Sequence, residues 1–329
     1  MKKILAASAV LALPFCLPAS AQEAPQVAPS PNEIVAQAAQ EEWIAIAPED
    51  LLVMSLAPDA EGNERRVVIQ LMPPPFSQGW VSNIRTLARA GWYDGTAVYR
   101  VQDNYVTQWG DPADPDAGET PKPLPEGLKV MGEDEYVDSV TTGSEGDIVL
   151  WHPKPDILDN YSDSATFDDG WPIAIGISDG TRTLTRWPTH CYGMVGVARG
   201  MSPETGSGEA LYTVIGHAPR HLDRNIALVG RVIEGIEHLS ALPRGKGPLR
   251  FYLDASKRVP ILSVRLASDL PEGERPAFEY LDTNGETFAR YVDARANRRD
   301  PFFIVPAGGA DICNLPVPLR RVEAAAGSD

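Results

Sequence analysis

The chain has 329 residues, and its 45 acidic and 29 basic side chains give a formal net charge of −16 at pH 7. A net-acidic surface repels phosphates, so the charge argues against a nucleic-acid partner. With 43% hydrophobic and 22% charged residues, the composition excludes a disordered chain and predicts one or two globular domains.

The first residues have the pattern of an export signal. Lys2-Lys3 precedes an apolar stretch over residues 4–17, and Ala19-Ser20-Ala21 offers the small residues of a cleavage site. We therefore expect a signal peptide over residues 1–21, a mature chain that begins at Gln22, and a periplasmic or secreted location. The apolar stretch is too short to span a bilayer, and we expect no membrane span after cleavage.

Two cysteines, Cys191 and Cys313, remain after this cleavage. In an oxidising compartment they could form one disulfide, and two free buried thiols are an equal alternative in a chain with a core of this size. The five histidines lack the spacing of a metal site, so we expect neither a metal nor a cofactor.

The N-terminal part of the mature chain changes from irregular to regular. Residues 22–49 lack a sustained apolar face, and we interpret them as a flexible tether with a short helix over residues 33–40. Strand patterns follow over residues 50–54 and 67–71, and Gly62-Asn63 between them is typical of a hairpin turn.

Next comes a helix and then a weakly patterned stretch. Apolar residues at helical spacing predict a helix over residues 80–90 that ends at Gly91. The long stretch over residues 111–190 is rich in proline, and we interpret it as an elaborated loop or subdomain. Strand patterns in this part of the chain occur over residues 97–101, 104–108 and 147–151.

Regular patterns return after residue 190. A short helix is expected over residues 234–241. Thr283 and Glu286 have the spacing of a capping box, which predicts a helix from there to about Arg299. Strands are predicted over residues 193–198, 210–215, 227–233, 261–267 and 311–315.

Two ordered groups of motifs stand out among these elements. The first covers residues 67–71, 83–84, 92–101 and 105–112, and includes Tyr93-Asp94-Gly95-Thr96 and Gln108-Trp109-Gly110-Asp111. The second covers residues 193–200, 207–212, 222–225 and 229–235. In this order they resemble the strand, helix, YDGT…FHRV, QGGD, MAR, SQFFI, LD and FGxVxxG blocks of the cyclophilin family of peptidyl-prolyl cis-trans isomerases.

The resemblance implies a mainly β fold, with a closed antiparallel barrel capped by helices. Residues 50–268 would form the cyclophilin-like domain, with residues 112–190 as an insertion and residues 269–329 as a C-terminal extension. The implied activity is isomerisation of X–Pro bonds in exported polypeptides, which would assist their folding. We expect proline-containing polypeptides as partners, and a monomeric chain.

The resemblance assigns the catalytic roles to Arg100 and Gln108. Twisting an X–Pro bond localises the lone pair of the prolyl nitrogen, and Arg100 would pair best with that twisted state. Gln108 would hold the substrate backbone beside it. Taken alone, such an arginine is usually a solvated surface charge and such a glutamine a polar edge-strand residue, but the motif favours function.

The resemblance assigns substrate binding to Tyr105, Val106, Ala198, Arg199, Glu209, Leu211, His221, Leu222 and Ile226. For Val106 and Leu211, packing in the core is an equal alternative, because apolar strand residues are usually core. Leu211, His221 and Ile226 stand where the family has phenylalanine, tryptophan and histidine. We therefore expect weak or shifted isomerase activity and poor binding of cyclosporin-like ligands.

Two other hypotheses remain open. The chain could be a binding module that grips proline-containing segments without useful turnover. The loss of aromatic side chains favours this module, whereas the retention of Arg100 and Gln108 favours the enzyme. The insertion could also fold as a lid over the groove, that is, over the surface formed by the catalytic and substrate-binding residues named above.

Overall fold

The computed structural model describes residues 28–113, 118–141, 157, 159–178 and 183–322. The expected signal peptide over residues 1–21 and the strand expected over residues 147–151 lie outside the described residues. No described helix is long and apolar enough to cross a membrane.

Strands and helices are numbered in chain order over the described residues. The strands are β1 (Trp43–Ala45), β2 (Leu51–Leu56), β3 (Arg65–Leu71), β4 (Ala97–Val101), β5 (Val106–Gly110), β6 (Asp138–Thr141), β7 (Ser164–Asp168), β8 (Trp171–Ser178), β9 (Thr183–Pro188), β10 (Met194–Val197), β11 (Leu211–Val214), β12 (Leu228–Glu234), β13 (Val259–Leu266), β14 (Phe278–Leu281) and β15 (Leu319–Arg321). The α-helices are α1 (Pro31–Ala36), α2 (Gln78–Arg89), α3 (Glu237–Ser240) and α4 (Glu286–Ala296).

Eight antiparallel strands close into a barrel in the order β10-β11-β5-β4-β13-β2-β3-β12. The predicted closed antiparallel barrel is therefore confirmed. Alternate residues of its strands, such as Leu52 and Met54, fill the interior. Helix α2 buries Trp80 and Ile84 against the same core, and Gly91 follows it with a φ of 62°, the left-handed conformation that ends many helices.

The segment interpreted as a tether is ordered over its described part, which corrects that interpretation. Helix α1 packs on α4, and β1 pairs with β14, which in turn pairs with β15. Ile34 of α1 shares a second apolar cluster with Phe288 of α4 and with the outward-facing Val53 and Val68 of the barrel. The N-terminal segment and the C-terminal extension thus form one layer against the outside of the barrel.

The capping box expected at Thr283 and Glu286 is absent. Helix α4 starts one residue after Gly285, and the carboxylate of Glu42 accepts hydrogen bonds from the backbone N–H and the hydroxyl of Thr287 at 3.2 and 2.9 Å. The hydroxyl of Thr283 instead accepts from the backbone N–H of Gly170 at 3.1 Å. A residue remote in sequence therefore supplies the cap, and local spacing does not reveal it.

The insertion is more regular than its sequence pattern indicates. Its described residues include a four-stranded antiparallel sheet in the order β6-β9-β8-β7. Ile173 of β8 packs against the barrel core, and Phe167 of β7 packs against the outer layer. The last predicted strand, over residues 311–315, is instead a 3₁₀ turn over Ile312–Asn314, and β15 follows it.

A disulfide joins Cys191 to Cys313, which decides between the two alternatives left by the sequence. Cys191 lies between the insertion and β10, whereas Cys313 belongs to the C-terminal extension. The bond therefore ties the extension to the segment from which β10 enters the barrel.

Candidate functional site

The site is built on a row of residues that faces outward across four barrel strands. Arg100 of β4 is paired with Gln108 of β5, Gln108 with Tyr212 of β11, and Tyr212 with Gly196 of β10. Directly opposed residues of an antiparallel pair project from the same face. The register therefore aligns a guanidinium, an amide and a phenol, and leaves room for the phenol over a glycine.

Arg100 is held by three acceptors. Its Nη1 donates to Oε1 of Gln108 at 2.9 Å, its Nη2 to Oε1 of Gln102 at 2.7 Å, and its Nε to the carbonyl of Leu249 at 2.7 Å. Partial burial lowers the pKa of Arg100 from its ordinary value. A guanidinium has five N–H donors, so Nη1 and Nη2 each keep a second N–H for a substrate.

Gln108 is fixed from both ends of its amide. It accepts from Arg100 and donates through Nε2 to the hydroxyl of Tyr99 at 2.9 Å. Burial raises the pKa of Tyr99 to about 12, so this hydroxyl stays neutral. Gln108 also lines a cavity of about 580 Å³ together with Asp111, Phe251 and Leu253.

An irregular segment over residues 245–252 runs beside β4 and forms one side of the site. The backbone N–H groups of Gly245 and Tyr252 donate to the carbonyls of Val101 and Tyr99, each at 2.9 Å. The Phe251 ring stacks on Tyr99, with centroids 5.7 Å apart, and its centroid lies 5.6 Å from Cζ of Arg100. The segment thus pairs with the part of β4 that extends beyond its pairing with β13, and it fixes the Arg100 side chain.

Next to this row lies a small apolar cluster separate from the barrel core. Its members are Tyr105, Val106, Ala198, Tyr212, Val214, Leu222 and Ile226. Five of the nine residues predicted to bind substrate are therefore brought together: Tyr105, Val106, Ala198, Leu222 and Ile226. The Tyr105 ring centroid is 5.8 Å from Cζ of Arg100, so the cluster adjoins the guanidinium.

Leu211 is not part of this cluster, so of the two alternatives left by the sequence, core packing applies to it and substrate binding does not. It is paired with Trp109, and both side chains point into the barrel core. Tyr212, one residue later, takes the outward position beside Gln108. Because side chains alternate along a strand, an error of one residue exchanges core for groove. An aromatic side chain, that of Tyr212, therefore occupies the groove position to which the sequence interpretation assigned Leu211.

The three other predicted substrate-binding residues lie at the rim. Exposed His221 stacks on Tyr105 with centroids 6.2 Å apart. Arg199 donates to the carbonyls of Asn225 and Gly200 at 2.9 and 2.8 Å, which joins the Ala198 side of the cluster to the Ile226 side. The carboxylate of Glu209 is engaged by the backbone N–H and hydroxyl of Ser207.

A buried polar chain behind the cluster holds Tyr212 in place. The Tyr212 hydroxyl lies 2.9 Å from Nε2 of His190, and Nδ1 of His190 lies 2.8 Å from Oδ1 of Asp223. Since a carboxylate only accepts hydrogen bonds, Nδ1 carries the proton and Nε2 accepts from the phenol. A Cβ on Gly196 would come within 2.3 Å of the Tyr212 hydroxyl, so only glycine admits this ring.

The polar chain continues into the insertion. Arg220 donates through Nε to Asp223 at 2.6 Å and through Nη1 and Nη2 to the two oxygens of Asp159, both at 2.8 Å. Burial alone would raise the pKa of Asp223, but His190 and Arg220 outweigh it, and the pKa lies below its ordinary value. Arg220, His221, Leu222 and Asp223 form one turn, so the insertion anchors the turn that carries part of the groove.

The sequence interpretation did not assign Tyr212, His190, Asp223, Arg220 or Asp159 to the site. Strict alternation from Gln108 across to β11 would have identified Tyr212, because Gln108 faces outward. No local signal connects Asp159 to Arg220, which are 61 residues apart.

His190 predicts a pH-dependent stability. Burial lowers its pKa from the ordinary 6.5, so the folded chain keeps the imidazole neutral. The unfolded chain takes up a proton as the pH falls through 6.5, and stability present above that pH is lost below it. We expect the unfolding temperature to fall between about pH 7.5 and about pH 5.5, and His190→Gln to flatten that fall, as measured by thermal unfolding.

A matched control is His217→Gln, which removes an exposed histidine and should leave the pH dependence of the wild type. Equal slopes for wild type and His190→Gln would contradict the proposed neutral imidazole.

Comparison with known proteins assigns the barrel to a family. The family model of the cyclophilin-type peptidyl-prolyl cis-trans isomerases matches residues 64–265. The crystal structure of cyclophilin AquaCyp293 from Hirschia baltica is similar with a TM-score of 0.60 and 24% identity, over 90% of this chain and 98% of that chain. This likeness concerns the fold.

A weaker similarity links the chain to a cyclophilin-type peptidyl-prolyl cis-trans isomerase from Cryptosporidium parvum. It has a TM-score of 0.36 and 14% identity, over 66% of this chain and 96% of that chain. Comparison with curated protein sequences finds no match.

Proposed function

The chain belongs to the cyclophilin-type peptidyl-prolyl cis-trans isomerase family and isomerises X–Pro bonds, and from this premise we propose that it acts on exported polypeptides and assists their folding. The observation that carries the proposal is the row of Arg100, Gln108 and Tyr212 beside an apolar cluster separate from the barrel core. An N-terminal signal pattern supports the exported location.

We assign the catalytic role to Arg100. Amide resonance sets a rotation barrier of about 18–20 kcal/mol, and twisting localises the lone pair on the prolyl nitrogen. A free N–H of Arg100 directed at that nitrogen pairs with it only in the twisted state, so the interaction lowers the barrier without equally stabilising the ground state. Because Gln108, Gln102 and Leu249 already fix the guanidinium, little reorganisation accompanies the step.

The apolar cluster supplies the complementary function of holding the proline ring while the preceding residue rotates. Tyr105, Leu222 and Ile226 are partly exposed and offer an apolar surface over the buried Val106 and Tyr212. The polar chain behind Tyr212 prevents its ring from moving away. Gln108 lies between the guanidinium and the cluster, where its amide can bind the substrate backbone.

Refolding of a proline-limited protein tests the folding role. X–Pro isomerisation takes tens of seconds or more without a catalyst and limits the refolding of many chains. We expect the mature protein to accelerate the slow phase of such a client in proportion to its concentration. Acceleration that persists in full in an Arg100→Ala variant would contradict the proposed role.

Export predicts a defined N-terminus. When the full chain is produced in a bacterial host, we expect the protein in the periplasmic fraction or the medium to begin at Gln22, as read by N-terminal sequencing and intact mass. Replacing Ala19 and Ala21 with phenylalanine should block this cleavage, because the site requires small residues. A cytoplasmic protein that keeps residues 1–21 would refute export.

One observation favours the alternative of a binding module. The carbonyl of Leu249 occupies Nε of Arg100, so part of the guanidinium is used by the chain itself. Peptide binding without catalysis in the wild-type protein would support this alternative.

A further inference from the structure

A second large cavity lies on the outer face of the barrel, away from the groove. It has a volume of about 960 Å³ and forms where β2, β3 and β13 meet residues 270–277 and 321–322 of the C-terminal extension. None of the groove residues lines it. Its size lies at the upper end of the range typical of small-molecule sites.

The floor of this cavity is a polar row across three strands. Ser263 of β13 is paired with Ser55 of β2, and Ser55 with Arg66 of β3. Along the same strands, Val53 and Val68 also face outward and are covered by the outer apolar layer. The outward face of these strands is therefore apolar at Val53 and Val68 and becomes polar at Ser55, Ser263 and Arg66.

Arginines dominate the charge of the cavity. Its lining contains two carboxylates, Glu64 and Glu274, and five guanidiniums, those of Arg65, Arg66, Arg265, Arg275 and Arg321. This excess occurs in a chain whose net charge is −16.

Some of these guanidiniums already have partners. Arg265 pairs with Asp94 at 2.6 Å, and Arg321 with Glu234 at 3.3 Å. Arg65 and Arg275 donate from Nε to the carbonyls of Ala57 and Leu270 at 2.6 and 2.8 Å. These backbone contacts fix the side chains without neutralising their charge.

Arg66 is the least satisfied of the five. Among the described residues, its Nε and Nη2 are buried and have no hydrogen-bond acceptor. A buried donor without a partner is costly, and more so when it is charged. Because Arg66 lines the cavity, an anion bound there would compensate the positive charge of its guanidinium.

We propose that this cavity binds a compact anion with at least two phosphate groups. The planar fork of arginine matches phosphate oxygens in a bidentate manner, and the hydroxyls of Ser55 and Ser263 are further donors. A volume of about 960 Å³ exceeds the need of a single phosphate, and several arginines around one space favour adjacent charged groups. The site is independent of the isomerase groove.

Titration calorimetry on the mature protein tests the proposal, with pyrophosphate as the probe and inorganic phosphate and citrate as comparisons. We expect saturable binding of one pyrophosphate per chain, tighter than that of phosphate or citrate and weakened by salt. Arg66→Gln should weaken binding by at least roughly tenfold. Arg275→Gln, which changes an exposed side chain, provides a second variant with little risk to folding.

The matched control is Arg290→Gln, which removes one positive charge from an exposed position on α4 outside this cavity. It should bind pyrophosphate like the wild type, and all three variants should keep their isomerase activity. The proposal is overturned by absent saturable binding, by tighter binding of citrate, or by an equal loss of affinity in Arg66→Gln and Arg290→Gln.

Discussion

Replacing Arg100 with alanine is expected to lower kcat/KM for isomerisation of an X–Pro peptide by on the order of 10²-fold, comparable with the loss of one preorganised donor in other enzymes. The guanidinium is the group in the row best suited to a localised lone pair, because it is charged and held by three acceptors. Its contribution appears only when the bond is twisted, so KM should change less than kcat. A coupled peptide assay measures both constants.

Two further variants show whether geometry or charge is responsible. Arg100→Lys keeps the positive charge but loses the planar fork that reaches Gln108, Gln102 and Leu249 together, so we expect activity between those of wild type and Arg100→Ala. Arg290→Ala removes a remote exposed arginine and should leave kcat/KM unchanged. Wild-type rates in Arg100→Ala, with an unchanged unfolding temperature, would remove Arg100 from the mechanism.

The segment beside β4 explains how Arg100 is kept in place. Leu249 and Arg250 have φ values of 47° and 67°, a conformation that is uncommon for residues other than glycine. This pair of left-handed residues lies where the Leu249 carbonyl accepts from Arg100. The chain thus adopts an unfavourable local backbone at the point where it supports the guanidinium, as is common at functional sites.

The barrel strands could be predicted from the sequence because each of them carries its own signal, whereas their closure into a barrel was implied by the family resemblance. Residues 51–56 and 65–71 alternate or run apolar between turn residues, and their hairpin follows from Gly62-Asn63. Motif order then located Arg100 and Gln108, which the register places opposite each other. These features depend on short stretches of chain and on a known family pattern.

Features that depend on contacts between distant segments could not be predicted. Glu42 caps a helix that begins at Glu286, and Asp159 pairs with Arg220 across 61 residues. Neither contact has a counterpart in local spacing. Assigning Leu211 rather than Tyr212 to the groove had a different cause, since the motif block was aligned one residue out and the strand period converted that shift into the opposite face.

The insertion and the extension both hold the segment that leads into β10 in place. Asp223 accepts hydrogen bonds from the backbone and the ring of His190 at 3.0 and 2.8 Å, and Cys191 beside it is bonded to Cys313. The Tyr212 side chain is therefore supported by both the insertion and the C-terminal extension. Relative to the barrel alone, these additions stabilise the groove from behind.

Replacing Arg220 with methionine is expected to cause the largest loss of stability, about 3–5 kcal/mol in the free energy of unfolding. The side chains of Arg220, Asp159 and Asp223 are 2%, 0% and 4% exposed. Without the guanidinium, two carboxylates stay buried with no cation between them. Chemical denaturation monitored by circular dichroism measures the loss, and Arg220→Lys, which keeps the charge but not the bidentate pairing, should lie between methionine and wild type.

Arg89→Met, which breaks an exposed ion pair, is the matched control for this prediction. Arg89 pairs with Asp269 at 3.2 Å, but its side chain is 55% exposed, and surface pairs contribute about 0–1 kcal/mol. A loss below about 1 kcal/mol in Arg220→Met would equate the buried pair with such a surface pair and refute its structural role. Because Arg220 shares a turn with His221 and Leu222, the folded fraction of Arg220→Lys should also bind proline peptides more weakly, which a change in packing elsewhere would not produce.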